Sequence, residues 1–546
     1  MSGEPDATAE EIGGEERDAA LTPFGRLREV LRRVSDRVGG EPSSYWVTRV
    51  LLLRLLGLVY LFGFLSLARQ IVPLIGQEGL LPIQPVLDGA AERIGAWTGF
   101  WRAPSLFWLG APDAALEALA WLGVGLSLLV VAGHASAIVM AALWFLYFSF
   151  VTIGQDWFAY GWDIQLCETG FLAVFLCPLL DGRAYPRRPT PVLVILLFRW
   201  LVLRIMLGAG LIKLRGDPCW EELTCLATHF ETQPLPNPLS RAVHFLPDAA
   251  KASGVVVNHV CELIAPLFVF GPRRARHVAG LAMIGFQLSL IATGNLSLLN
   301  WLTIAAIVAC FDDRFLCRLA PRRLGARVEA ARAAAVPSRW QRRCVLALFA
   351  LYAALSVAPL LNLLSSEQKM NHSFNRWHLA GAYGAFGSMV DQRHEIVFEG
   401  SPDAADPPGR EGVWLEYDLP CKPGDPMRRP CIAAPYQYRL DWQMWFASRA
   451  SVSQYPWAAH LAWKLLHGDP TVLRLIDHNP FPERPPRRIR ALLYRYRFAD
   501  PDDPSRAWWQ RERVTTWLPP LSADDPELIR FLRAHDWLPA SPAPAE

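Results

Sequence analysis

No Gly-x-Ser-x-Gly elbow, no P-loop and no Cys-x-x-Cys pair occurs anywhere in the 546 residues. The first absence removes the nucleophile signature of a direct lipase, and the second removes the phosphate cradle of an ATP-driven machine. The third leaves no zinc-ribbon or haem-type spacing, so neither a metal nor another cofactor is expected. Lysine is nearly missing too: Lys213, Lys251, Lys369, Lys422 and Lys464 are the whole set, and arginine fills every other cationic position. Net charge is small, at +3 from 54 basic and 51 acidic residues, which gives no basic surface for a nucleic-acid partner. Ten cysteines in so long a chain do not make a disulfide scaffold.

Apolar surface is what the chain has in excess. Hydrophobic residues make up 52% of it and mean hydropathy is positive, a surplus that lipid accommodates better than a soluble core. A membrane span needs roughly 20 apolar residues. Nine segments come close, at about 47–69, 115–133, 135–153, 163–181, 191–212, 255–271, 278–293, 298–312 and 343–363. Cytoplasmic loops of a polytopic protein are rich in Lys and Arg, and this tests the count. With the N-terminus inside, alternation places in the cytoplasm the N-terminal Arg cluster, the Gly133-His134 turn, the Arg183/Arg187/Arg188 loop, the Arg273-Arg274-Ala275-Arg276 loop and the 312–342 loop. All but the tight turn are basic, while 70–114, 154–162, 213–254 and 294–297 are basic-poor or mixed.

The expected fold is therefore an α-helical polytopic membrane bundle of about nine transmembrane helices, with a β-rich, β-sandwich-like C-terminal domain outside the cytoplasm. Its parts are a cytoplasmic segment 1–44, a multi-span domain 45–364, the extracytoplasmic domain 365–538 and a disordered tail 539–546. The polar first 40 residues are no cleavable signal peptide. Phe24, Leu27, Val30, Leu31, Val34 and Val38 recur at helical spacing among arginines, which suits an amphipathic helix on the membrane surface or a packed cytoplasmic helix. Beyond 365, His394-Glu395-Ile396-Val397-Phe398 and Val413-Trp414-Leu415-Glu416-Tyr417 alternate as strands do, and 457–467 reads as a helix. The dense aromatics there, Trp442, Trp445, Trp457 and Tyr496 among them, are either core or a binding surface.

Topology also sorts the cysteines. Cys219 and Cys225 fall in one external loop and Cys421 and Cys431 in the external domain, so two local disulfides are expected. The alternatives are four free thiols or pairing between the two regions.

Charged residues inside spans are costly and mark sites. Candidates among them are Arg54, Glu168, Arg199, Arg204, Lys213 and Glu262. Glu168, Lys213 and Glu262 each lie within roughly 10 Å of the outer end of their spans and Arg204 slightly deeper, which suggests one cluster of two carboxylates and two cations. Such a cluster could bind a polar group, perform acid/base work with His229 nearby, or simply staple the bundle. Lys213 differs from the arginines in being able to lose its proton when buried. After it comes Gly216-Asp217-Pro218-Cys219-Trp220, then Glu231-Thr232-Gln233-Pro234-Leu235-Pro236-Asn237-Pro238, a proline-stiffened stretch that cannot be a regular helix.

At these residues the chain resembles the lipase maturation factor family. The similarity is carried by 213–220, Glu231 to Asn237, Pro73-Leu74-Ile75-Gly76, Phe270-Gly271-Pro272-Arg273-Arg274, Ala382-Tyr383-Gly384-Ala385-Phe386-Gly387 and Tyr438-Arg439-Leu440-Asp441-Trp442. The resemblance implies a membrane-resident factor that helps lipase-like exported clients fold, with its C-terminal domain in the lumen. The membrane is that of the endoplasmic reticulum in a eukaryote and the plasma membrane in a bacterium. More distantly, Ala209-Gly210-Leu211-Ile212-Lys213-Leu214 is similar to a segment of the vitamin K-dependent γ-carboxylases, which implies a base at Lys213.

Three functions follow. The first is an ATP-independent maturation factor, not an enzyme, whose client or ligand contacts include Arg204, Asp217, Trp220, Glu231, Gln233 and Asn237. The second is a membrane enzyme with Lys213 as base and Glu168, Glu262 or His229 beside it. The third is a lipid or small-molecule binding bundle.

Overall fold

The structure, a computed structural model, describes residues 45–319, 321–408 and 411–538. The amphipathic segment at 24–38 and the 539–546 tail lie outside the described residues. Among the described residues, six helical runs are long and apolar enough to cross a bilayer: α1 (Trp46–Ile75), α2 (Asp113–Ala132), α5 (Val192–Gly216), α7 (Asp248–Phe270), α8 (Arg273–Thr293) and α10 (Arg339–Leu364). The other three expected spans are also helical but short: α3 (Ala137–Ile153) has 17 residues, α4 (Gly161–Val174) has 14, and α9 (Leu299–Ile307) has 9. At 1.5 Å per residue, α3 and α4 reach only about 26 and 21 Å. Apolar composition thus located nine helices among the described residues, while length separates six from three.

The most enclosed of the long helices is α5. Val194, Ile195, Phe198, Leu201 and Val202 are buried on several faces, and the helix packs against α4, α7, α9 and α10. A helix apolar all round belongs inside a bundle. The run α7 is irregular: Val260–Ile264 forms a π turn and Ala265–Phe270 a tighter 3-10 turn. Pro266 explains the break, because it has no N–H to offer the carbonyl of Glu262, and the chain widens instead.

The C-terminal region departs from the sandwich expected of it. A two-stranded ribbon, β1 (His372–Ser373) with β2 (Gly381–Ala382), precedes a single antiparallel sheet of order β4-β3-β5-β6. Its strands are β3 (Arg393–Ser401), β4 (Leu415–Glu416), β5 (Arg488–Phe498) and β6 (Trp509–Ser522). The predicted strand at 394–398 lies in β3, whereas 413–417 is reduced to two residues of β4. Helices α11 (Arg439–Ala447) and α12 (Pro456–Leu466) pack on β3 and β5, where a sandwich would place its second sheet. Of the aromatics, Trp442, Trp457 and Tyr496 are core and Trp445 is half-buried. Trp442 stands 4.8 Å from Trp162 between ring centroids and Trp457 stands 5.5 Å from Trp157, so they form the seam between domain and bundle.

That seam is polar as well as aromatic. Gln437 offers its carbonyl to Ser66 Oγ and Gln70 Nε2, both at 2.7 Å. Arg439 reaches Asp163 at 3.3 Å with both side chains fully buried. The sheet domain is therefore bonded into one end of the bundle rather than tethered beside it.

Candidate functional site

The charged residues expected as one cluster make two separate pairs. Arg204 and Lys213 are nine residues apart on α5, about 13.5 Å along its axis, too far to share one partner. Arg204 pairs with Glu168 of α4 and donates to the Gly381 carbonyl at 2.7 Å. Glu168 Oε2 also accepts from the Gly381 amide at 3.0 Å and from the Tyr383 hydroxyl at 2.6 Å. The carboxylate is thus saturated by a segment from the C-terminal region. Arg199 bonds the Ala309 carbonyl at 2.9 Å and the Tyr45 hydroxyl at 2.8 Å toward the other end of α5, and Arg54 reaches the Ala132 carbonyl at 3.5 Å. Neither joins the pairs.

Lys213 makes the second pair. Its Nζ donates to Glu262 Oε2 at 2.6 Å and to Asn258 Oδ1 at 2.8 Å, and the Trp220 ring lies 4.8 Å away. Asn258 Nδ2 donates to the same Glu262 oxygen at 3.2 Å. Two acceptors and an aromatic face satisfy an ammonium, and the π turn in α7 places Glu262 against it. This group closes one end of a cavity of about 290 Å³. Its walls are apolar, from Ile205, Met206 and Ala209 of α5, Val257 of α7, and Phe286 and Leu290 of α8. Gln287 and Asn300, bonded to each other at 2.7 Å, add polar groups on the α8 and α9 side.

His229, on α6 (Leu226–Thr232), also lines the cavity. It is buried, its ring meets Phe386 edge-on at 4.7 Å, and its Nδ1 has no hydrogen-bond partner among the described residues. Burial, with Lys213 close by, holds its pKa down to about 4, so the ring is neutral.

The loop after Lys213 turns inward. Asp217 caps it by accepting from the Cys219 amide at 3.0 Å and the Met389 amide at 2.9 Å. Trp220 is buried and donates to the Phe386 carbonyl at 3.0 Å. Gln233 bonds Ser240 Oγ and the Thr293 carbonyl, both at 2.9 Å, and Asn237 forms a capping box with Ser240. Glu231 accepts from the Phe498 amide at 2.8 Å. The polar atoms of 231–237 are therefore spent inside the protein. Cys219 and Cys225 stand at disulfide distance, Cα to Cα 4.8 Å, as do Cys421 and Cys431 at 5.2 Å. Asp217 lies beside the first pair, but sulfurs bonded to each other are not metal-binding thiolates.

Residue-level reading missed the group that closes this loop. Arg393, buried at the start of β3, donates to the carbonyls of Glu231 and Pro234, each at 2.9 Å, and to that of Gln233. Its only signal was an arginine heading a strand of mostly buried residues. Asp163, the partner of Arg439, stands at the first position of a predicted span, where a carboxylate is no signal of a buried pair.

Long apolar helices with buried ion pairs, completed by a sheet domain at one end, define a multi-pass integral membrane protein. Residues 47–318 match the lipase maturation factor transmembrane domain, and 379–519 match the lipase maturation factor C-terminal domain. Over 539 residues the chain is 45% identical to lipase maturation factor 1 of Bos taurus, covering 94% of this chain and 95% of that one. It is 43% identical over 520 residues to lipase maturation factor 1 of Homo sapiens, with 91% of each covered. Lipase maturation factor 2 of Mus musculus is 30% identical over 617 residues, covering 90% of this chain and 85% of the other. No solved structure matches. The chain belongs to the lipase maturation factor family.

Proposed function

We propose that this protein is a membrane-embedded, ATP-independent maturation factor for lipase-like exported proteins. The observation that carries the reading is similarity along nearly the whole chain, 94% of it, to lipase maturation factor 1 of Bos taurus. In this reading α3, α4 and α9 complete nine spans, the N-terminus is cytoplasmic, and residues 365–538 face the lumen or exterior. The basic loops around Arg183 and Arg273 support that orientation.

Arg204, Trp220, Glu231, Gln233 and Asn237 take the role of holding the site in shape, Asp217 caps its loop, and client contact falls to what stays exposed. That is Glu221, Glu222 and Thr224 in the cysteine loop, and β6, an edge strand of the sheet with a largely exposed face. An open edge can take on a client strand through its main chain.

The test is complementation. Expressed in cells that lack their own lipase maturation factor 1, this protein should restore secreted lipase activity, and Val514→Pro on the open strand should lower that rescue without lowering the amount inserted. No rescue by a correctly inserted wild-type chain overturns the reading.

A further inference from the structure

The cavity at Lys213 has a chemistry that client binding does not use. Among the described residues three charged side chains line it, Lys213, Lys251 and Glu262, and each already has a partner. Lys213 is neutralised by Glu262 at 2.6 Å, and Lys251 by Asp248 at 2.9 Å. An anionic head would meet the Glu262 carboxylate and a cationic head would meet the two lysines. Among the described residues, what remains unsatisfied in the lining is the Nδ1 of His229, 94% buried by its 6% exposure and set in the cavity wall. A buried polar atom without a partner costs free energy that a ligand's hydroxyl or carbonyl would recover. From this end the walls run apolar along α5 and α8, and two lining residues, Leu246 and Val257, are 43% and 53% exposed at the surface. Val257 belongs to a helix apolar enough to cross the bilayer, so the cavity opens toward lipid there.

We infer that the cavity binds a single-chain lipid with an uncharged hydroxyl or carbonyl head, taken from the bilayer, the head at His229 and the tail between α5 and α8. Its volume of about 290 Å³ is at the lower end for ligand sites, enough for one chain and too little for a two-chain phospholipid. Lys213, Asn258 and Glu262 fix the polar end and touch the head only at its edge.

The test uses the full-length protein in phosphatidylcholine nanodiscs with a long-chain primary alcohol carrying a diazirine near its tail. Crosslinked peptides should map to α5, α7 and α8, around Met206, Val257 and Phe286. Unlabelled alcohol should compete, while the carboxylate of equal chain length near pH 9, where it is ionised, should not. His229→Phe should weaken labelling about tenfold, the loss of one hydrogen bond to a buried group. Ala209→Leu should remove labelling by filling the tail site. Labelling confined to other helices, or equal competition by the carboxylate, overturns the inference on wild-type protein alone, whatever the variants do.

Discussion

At the scale of single residues, the Lys213 group separates structure from chemistry. Lys213→Met strands Glu262 inside the protein and should cost about 3–5 kcal/mol, as removal of one partner of a buried pair does. Adding Glu262→Leu should recover most of that loss in thermal unfolding in detergent. A double variant that folds and still supports lipase secretion assigns the pair a holding role; one that folds and is inactive makes Lys213 chemically necessary. His460 gives a pH prediction. Its Nδ1 donates to the Leu80 carbonyl at 3.0 Å, and burial holds its pKa down to about 4. An unfolded histidine titrates near about 6.5, so the unfolded chain takes up a proton that the folded chain refuses. The stabilisation is complete above that value and is lost as pH falls toward 4. Melting curves between pH 7 and about 4 should therefore be flatter for His460→Gln than for the wild type.

At the scale of elements, the π turn of α7 is the sensitive part. Replacing a proline inside a helix ordinarily stabilises it by about 3 kcal/mol. Pro266→Ala should do the reverse, because a regular α-helix there turns Glu262 away from Lys213, and a lowered melting temperature checks this. The cysteine pairs give a second test. Maleimide labelling of the denatured, unreduced chain should modify six thiols, and all ten after reduction. Helix positions were legible in the sequence because hydropathy is a local property, and each predicted span coincides with a helix. Partnership was not legible: whether Glu168 faces Arg204 or Lys213 depends on how α4 and α7 are rotated against α5, which spacing along one helix does not fix. The single sheet was missed for a similar reason. Alternation at 394–398 marks a strand, but only packing decides whether α11 or another sheet covers it.

At the scale of the whole molecule, bundle and C-terminal domain are bonded directly to each other, and they should unfold as one unit. Their seam holds the buried Arg439–Asp163 pair, the Gln437 carbonyl shared by Ser66 and Gln70, and the salt bridge from Lys464 to Glu78 at 2.7 Å. A fragment of residues 365–538 alone should lack a cooperative thermal transition, whereas the intact chain should show one. Arg439→Met should lower the melting temperature of the intact chain and loosen both halves together in hydrogen exchange. The sequence pattern marked two compositional regions, yet composition does not register bonds made across them.

Arg393 gives this unity an order in time. The ribosome delivers residues 231–234 long before it delivers the arginine that gathers their carbonyls. Until then the loop beside Lys213 is an unfinished clasp, its main-chain oxygens left to water. A nascent chain halted before β3 would hold all six of the long apolar helices described above and still leave that clasp open. The loop beside Lys213 therefore takes its final shape only once the first long strand of the C-terminal sheet has been made.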